Sequence, residues 1–134
     1  MAAAGVNVAF GHDCVMDPWY SFGQADMLDV AHMAVHVGQL SAREAMRFCF
    51  EAVTTNAAKV MGLDGYGLAP GCHGDLVILQ AQDPIEAIRL RATRLFVVRR
   101  GQVVAETAAR QSRLDVPGRP SGVDPAQYAP RSRA

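Results

Sequence analysis

The apolar and polar positions of this chain first form a short strand pattern and then a helical one. Residues 6–10 are a short apolar run that ends at Gly11, which is typical of a buried β-strand. Asp26 then precedes apolar residues at helical spacing. Asp at that position favours an N-cap, and a Gly such as Gly38 is typical of a helix end. The pattern therefore predicts a strand, a loop and a helix.

A second helix is predicted from a capping pattern. Ser-Ala-Arg-Glu at residues 41–44 places Glu44 three residues after Ser41, which is the spacing of a capping box. The apolar positions that follow keep helical spacing up to Met61. Gly62 stands where the helix would stop, so we predict one helix from 41 to about 61.

The second half of the chain has a β-rich pattern. Turn-forming glycines and prolines crowd into residues 65–74. A buried strand is predicted at 75–79, a short helix at 84–90 after an Asp-Pro cap, and two hairpin strands at 95–98 and 102–105. From about residue 112 the chain carries four prolines without periodicity, and we predict coil.

This organisation is lopsided for a complete domain. One parallel-type strand does not make a sheet, and two helices with broad apolar faces have no sheet to cover. The pattern indicates the last stretch of a larger α/β protein.

Composition narrows the class of protein. The chain has 134 residues, 13 basic and 13 acidic side chains, and a formal net charge of zero, which gives no argument for binding nucleic acid or an anionic membrane. No apolar run is long enough to span a bilayer, and no secretory signal pattern begins the chain. Its three scattered cysteines lack CxxC spacing, which favours reduced thiols and a cytoplasmic location.

The candidate chemistry follows the first predicted strand. In parallel α/β folds, functional residues gather at the carboxyl ends of strands, and Asp13 stands there. A carboxylate at that place can bind a metal or move a proton. Trp19, six residues further on, can stack on a flat ring.

Two motifs resemble a known family. Gly-His-Asp at 11–13 followed by Asp-Pro-Trp-Tyr at 17–20 resembles the strand-8 signature of bacterial cytosine deaminases in the amidohydrolase superfamily. Thr-Asn-Ala-Ala-Lys-Val-Met-Gly-Leu at 55–63, with Asp-Leu-Val at 75–77, is similar to the usual ending of that superfamily. The zinc deaminases with H-x-E and PCxxC motifs are excluded, because the chain has neither motif.

The resemblance implies an α/β fold in which this chain is the C-terminal fragment of a (β/α)8 TIM barrel. It would hold strand 8, the following helices and the C-terminal strands of a small β-sandwich. The implied boundaries are 1–64 for the barrel part, 65–111 for the sandwich part and 112–134 for a Pro-rich tail.

The resemblance also implies an activity, the metal-dependent hydrolytic deamination of cytosine to uracil and ammonia. Asp13 would bind one divalent Fe or Zn ion and shuttle a proton. Trp19, Cys14 and Asp17 would contact the substrate, with Trp19 stacking on the pyrimidine. His12 would orient the site from behind it.

One departure from the family pattern bears on whether the chain can be active alone. The His-x-His pair that supplies the superfamily's first two ligands is absent, and a catalytic metal needs about three protein ligands. We therefore expect the isolated chain to be inactive, with the other ligands supplied from outside it. The expected partners are a nucleobase-like small molecule and either a complementing N-terminal barrel segment or further copies of the chain.

Alternative interpretations remain open. The substrate could be a related amino-substituted ring such as isocytosine, creatinine or a triazine, or the chain could be a non-catalytic assembly module. His32 and His36 stand four apart on one predicted helix and could bind a metal, although packing is favoured because no Glu lies between them as in HExxH. A local group of arginines favours a solvated face or an interface over RNA binding: Arg89, Arg91, Arg94, Arg99 and Arg100.

Overall fold

The chain folds as a mixed α/β structure with four α-helices and a three-stranded antiparallel sheet. The computed structural model describes residues 2–123. The helices are α1 (Met27–Val37), α2 (Arg43–Ala52), α3 (Thr55–Val60) and α4 (Pro84–Leu90). The strands are β1 (Leu76–Leu79), β2 (Arg94–Arg99), β3 (Gln102–Glu106), β4 (Ser112–Arg113) and β5 (Gly122–Val123), and a short 3₁₀ turn spans Ala2–Ala4. No helix in this part of the chain is long and apolar enough to cross a membrane.

Side-chain caps start two of the helices where the sequence predicts them. Asp26 accepts a hydrogen bond from the backbone N–H of Leu28 at the start of α1. Asp83 accepts from the N–H groups of Ile85 and Glu86 at the start of α4. These caps satisfy amide groups that have no partner inside the helix, and they confirm the predicted starts of both helices.

The predicted long helix is wrong, because it is broken into α2 and α3. The Ala52 carbonyl, which a continuous helix would use four residues later, accepts the N–H of Phe10 at 2.9 Å. The Thr54 hydroxyl donates to the Phe50 carbonyl at 2.7 Å, a bond that competes with the helix. The capping-box prediction is also wrong, since Ala42 is the N-cap of α2 and makes no side-chain cap.

The predicted N-terminal strand is not formed by the described residues. Residues 6–10 form no strand, and no other described segment pairs with them. A strand is defined by ladder hydrogen bonds to a neighbour, and this segment instead docks on the helices through Phe10. The Phe10 and Phe48 rings meet edge to face with centroids 6.0 Å apart.

The core lies between α1, α2 and α4. Its buried members come from all three helices and from the second residue after α4: Leu28, Ala31, Cys49, Ala87, Ile88 and Ala92. Phe10 packs against this cluster, so the core fixes the point from which the candidate site segment begins.

The sheet order is β1-β2-β3 with antiparallel pairing throughout. Arg100 and Gly101 both have positive φ, 51° and 78°, which is the conformation of a two-residue type I′ hairpin. Asp75 accepts the N–H of Arg100 at 2.6 Å and pairs with Arg99. The positions of the strands and of the hairpin are confirmed, but the prediction that the first of these strands is buried is wrong, because Val77 and Ile78 of β1 are 50% and 45% exposed.

Part of the predicted coil tail is ordered. β4 pairs with β5, and the Arg119 N–H donates to the Val116 carbonyl at 3.1 Å. Pro117 and Gly118, with Gly118 at φ 76°, match the central residues of a type II turn. The coil prediction is therefore wrong for residues 112–123, and the rest of the predicted tail, 124–134, lies outside the described residues.

Candidate functional site

The candidate site is the loop of residues 11–23, which leaves the helical core at Phe10 and enters α1 at Asp26. The loop contains every residue that the family resemblance assigns to the active site: His12, Asp13, Cys14, Asp17 and Trp19. The site is thus held at both ends by packed structure and has no strand of its own.

Asp17 organises this loop. Its carboxylate accepts the backbone N–H groups of Trp19 and Tyr20, each at 2.9 Å. The Asp17 N–H in turn donates to the Tyr20 carbonyl at 3.1 Å. This is an Asx turn stabilised by a carboxylate, with Pro18 inside it. Asp17 therefore fixes the backbone that presents Trp19.

Asp17 also connects the turn to Cys14. The Cys14 thiol donates a hydrogen bond to the Asp17 carboxylate, and this bond is the main reason that the pKa of Cys14 is raised; desolvation and the negative charge of Asp13 add to it. The pKa of Asp17 is lowered mainly by the hydrogen bond from the Tyr20 N–H and next by the hydrogen bond from the Cys14 thiol. Asp17 is therefore held as a carboxylate and Cys14 as a thiol.

Trp19 is the most exposed aromatic side chain of the loop. It is 88% exposed, and no ring among the described residues stacks on it, whereas Tyr20 and Phe22 meet edge to face at 5.6 Å. Asp13 is exposed too. Both side chains are thus accessible, and an accessible indole can stack on a planar ligand.

His12 packs beneath the loop. A Cβ placed on Gly23 would lie 3.5 Å from His12 Cε1 and 3.8 Å from Tyr20 Cε1, and Gly23 has φ +97°. Only glycine adopts that backbone conformation without strain. His12 is half-buried, and its ring lies against this turn.

The described residues do not hold a complete metal centre. No group of three or more His, Cys, Asp or Glu side chains within residues 2–123 is arranged to bind a metal ion. Asp13 can offer one carboxylate, which is fewer than the three protein ligands of a catalytic site. The donor set of this part of the chain therefore does not fit the implied metal on its own.

A cavity of about 350 Å³ lies elsewhere in the described chain. Charged residues from the start of α1 and from around β2 line it: Asp26, Asp29, Arg91, Arg94 and Arg110. None of residues 11–23 lines this cavity, so the candidate site lies outside it.

The sequence identified Asp13, Cys14, Asp17, Trp19 and His12, and the structure places all five in one loop. Reasoning from the sequence missed two features that shape the loop, namely the Tyr20–Phe22 ring pair and Gly23. The sequence does carry a signal for this loop. Ser-Phe-Gly at 21–23 stands between Trp19-Tyr20 and the helix cap Asp26, a pattern typical of a tight loop.

Comparison with known proteins assigns the family. Residues 1–106 match the profile of the amidohydrolase family. The chain belongs to the amidohydrolase family. The resemblance found in the sequence is confirmed at this level.

Two curated amidohydrolase relatives are each 30% identical to the chain. N-isopropylammelide isopropyl amidohydrolase from Pseudomonas sp. (strain ADP) matches over 104 residues, 77% of this chain and 26% of its own length. Pterin deaminase from Rhizobium rhizogenes (strain K84 / ATCC BAA-868) matches over 116 residues, 86% of this chain and 26% of its own length. The chain therefore spans about a quarter of the length of these relatives.

Solved amidohydrolase structures agree with the fold. A 5-methylcytosine deaminase from Klebsiella pneumoniae, liganded with 5-fluorocytosine, superposes with a TM-score of 0.79 at 33% identity, over 84% of this chain and 28% of that one. N-isopropylammelide isopropylaminohydrolase from Burkholderia multivorans ATCC 17616 superposes with a TM-score of 0.76 at 38% identity. The match covers 81% of this chain and 28% of that one. The names of the relatives thus refer to cytosine, ammelide and pterin.

Proposed function

We propose that this chain forms part of the active site of a metal-dependent amidohydrolase that deaminates cytosine or a closely similar ring. The observation that carries the proposal is the loop of residues 11–23, in which Asp17 holds Trp19 exposed six residues after the exposed Asp13. Family membership and the likeness to 5-methylcytosine deaminase support the reaction class.

Asp13 is the proposed metal ligand and proton carrier. Its exposed carboxylate offers a hard oxygen ligand for a divalent metal and can accept a proton. The other ligands of one Fe or Zn ion would come from residues outside this chain, since the described residues supply no cluster of three. A divalent metal, when bound, lowers the pKa of a water molecule towards neutrality.

Trp19 is the proposed stacking surface for the substrate. An indole that is 88% exposed gains from covering a planar heterocycle, and such stacking contributes about 1–3 kcal/mol. Cys14 and Asp17 would line the same pocket. Because Asp17 already accepts two backbone N–H groups and the Cys14 thiol, its part is to keep the loop in shape beside the substrate.

The placement of the chain in the whole enzyme is part of the proposal. Residues 1–64 would complete a (β/α)8 barrel, with 6–10 as its last strand once neighbouring strands are present. Residues 65–111 would complete a small β-sandwich. The docked but unpaired segment 6–10 and the share of about a quarter of its relatives' length support this placement.

A related ring is the second candidate substrate. The two ammelide enzymes, one of them 38% identical to this chain, favour a triazine as strongly as the cytosine enzyme favours a pyrimidine. The reaction class is the same for both, and the choice depends on pocket walls outside residues 11–23.

The test is ammonia release from a complete enzyme that contains this chain. The chain is fused to the N-terminal portion of the Klebsiella pneumoniae deaminase, loaded with Fe or Zn, and assayed with cytosine, isocytosine, creatinine and ammelide. We expect ammonia from cytosine, or from one of the related rings if the second candidate is right. A folded, metal-loaded fusion that releases ammonia from none of them would overturn the proposal.

A further inference from the structure

Two histidines form a close pair on α1, outside the loop of residues 11–23. His32 and His36 lie one helical turn apart, with ring centroids 4.4 Å apart and planes tilted by 46°. His36 is exposed and His32 is half-buried. Side chains four residues apart lie on the same face of a helix, and this spacing is the one that zinc helices of the HExxH type use.

Both rings are fixed through the same nitrogen. His32 Nδ1 lies 3.1 Å from the Ile88 carbonyl oxygen, and His36 Nδ1 lies 2.8 Å from the His32 carbonyl oxygen. A carbonyl oxygen only accepts, so each Nδ1 must carry the proton. In the neutral ring the lone pair is then on Nε2, and neither Nε2 has a hydrogen-bond partner among the described residues.

This arrangement is that of histidines that bind metals. Such histidines donate their second ring N–H to a backbone carbonyl or a carboxylate, which fixes the tautomer and the ring orientation. The bond from His32 to Ile88 also ties the first ring to α4, where Ile88 is buried in the core. Little side-chain freedom is therefore left to lose when a metal binds.

We propose that His32 and His36 form a two-histidine site for a divalent transition metal, bound through both Nε2 atoms. Imidazole ligands suit Zn²⁺, Ni²⁺ and Cu²⁺ and do not suit Mg²⁺ or Ca²⁺. No third His, Cys, Asp or Glu within residues 2–123 completes the set, so water molecules occupy the remaining positions. The site is independent of the proposed deaminase function, because it uses neither Asp13 nor the loop.

The experiment titrates the 134-residue chain with Ni²⁺ and Zn²⁺ by calorimetry, in a Cys14→Ser and Cys72→Ser background that removes the two partly exposed thiols. We expect one metal per chain. His36→Ala should lower the affinity for the metal by about 100-fold, because two linked ligands bind far better than one. His73→Ala, an exposed histidine in a turn, is the matched control and should leave the affinity unchanged.

A second readout separates the site from a purely structural pair. Ni²⁺ should raise the melting temperature of the parent chain, followed by circular dichroism, and Mg²⁺ should not. His36→Ala should fold normally, since its Nδ1 bond lies within α1, and should lose the Ni²⁺-dependent rise. Equal Ni²⁺ affinity in the parent and in His36→Ala, or no binding to the parent, would overturn the proposal.

Discussion

At the scale of single residues, the shape of the candidate site depends on the carboxylate of Asp17. Asp17 accepts two backbone N–H groups and a thiol hydrogen bond. These contacts leave Asp13 and Trp19 exposed and the backbone between them fixed. From the sequence, Asp17 was expected both to orient the loop and to contact the substrate; the structure adds the Asx turn through which it shapes the backbone.

The Cys14–Asp17 contact can be measured through thiol reactivity. The pKa of Cys14 lies above its ordinary value of 9.0 because of the hydrogen bond to Asp17, then desolvation, then Asp13. Alkylation requires the thiolate, so Asp17→Asn should increase the rate of Cys14 alkylation at pH 8.5. Mass spectrometry of the peptides gives the rate at each cysteine. Cys72 is the internal control, and a Cys14 rate that does not respond to Asp17→Asn would exclude the contact.

Replacing Trp19 should change the affinity of the enzyme for its substrate and leave the stability of the chain nearly unchanged. Trp19→Ala should change the free energy of unfolding by less than about 0.5 kcal/mol, as expected for a surface position. In the assembled enzyme it should raise KM for the heterocycle by roughly 5- to 150-fold, since stacking contributes about 1–3 kcal/mol. Leu68→Ala, at a side chain that is also 88% exposed, is the control. Equal KM values for the two variants would contradict stacking.

At the scale of elements, most local signals in the sequence predicted the structure correctly, although the capping box at residues 41–44 did not, and long-range structure was predicted badly. The caps at Asp26 and Asp83 and the Arg100–Gly101 hairpin are local signals, and all three are confirmed. The break between α2 and α3 depends on Phe10, which lies far away in sequence and takes the Ala52 carbonyl. A strand at 6–10 requires neighbouring strands, which no local pattern supplies.

The cap of α4 should stabilise the chain measurably. Asp83→Ala should lower the free energy of unfolding by about 1 kcal/mol at pH 7, because two N–H groups lose their acceptor. The pKa of Asp83 is lowered by the N–H of Glu86, so this stabilisation is present above the ordinary pKa of 3.8 and is lost as the pH falls below it.

Urea denaturation of the variant at pH 7 and at pH 3 measures both effects. The difference between Asp83→Ala and the parent should shrink at pH 3. Asp64→Ala, at an exposed aspartate in a turn, should have no effect at either pH. A cap effect of the same size at both pH values would show that ionised Asp83 is not what stabilises α4.

At the scale of the whole molecule, the chain presents apolar surface that its own fold does not cover. β3 is exposed along its whole length, with Val103 and Val104 at 59% and 60%. The relatives are about four times longer than the matched region. The mixed α/β class and the family could be predicted from sequence because they rest on local motifs. The proposed metal centre could not be predicted in full, because no group of three or more possible ligands lies among the described residues.

The most direct test of the central claim is ammonia release from the metal-loaded fusion enzyme carrying Asp13→Asn, compared with the parent and with Asp64→Asn. We predict that Asp13→Asn abolishes ammonia release and reduces the metal content of the fusion enzyme, whereas the Asp64→Asn enzyme retains both. Parent-level ammonia release from the Asp13→Asn enzyme would contradict the proposed role of this chain in the active site.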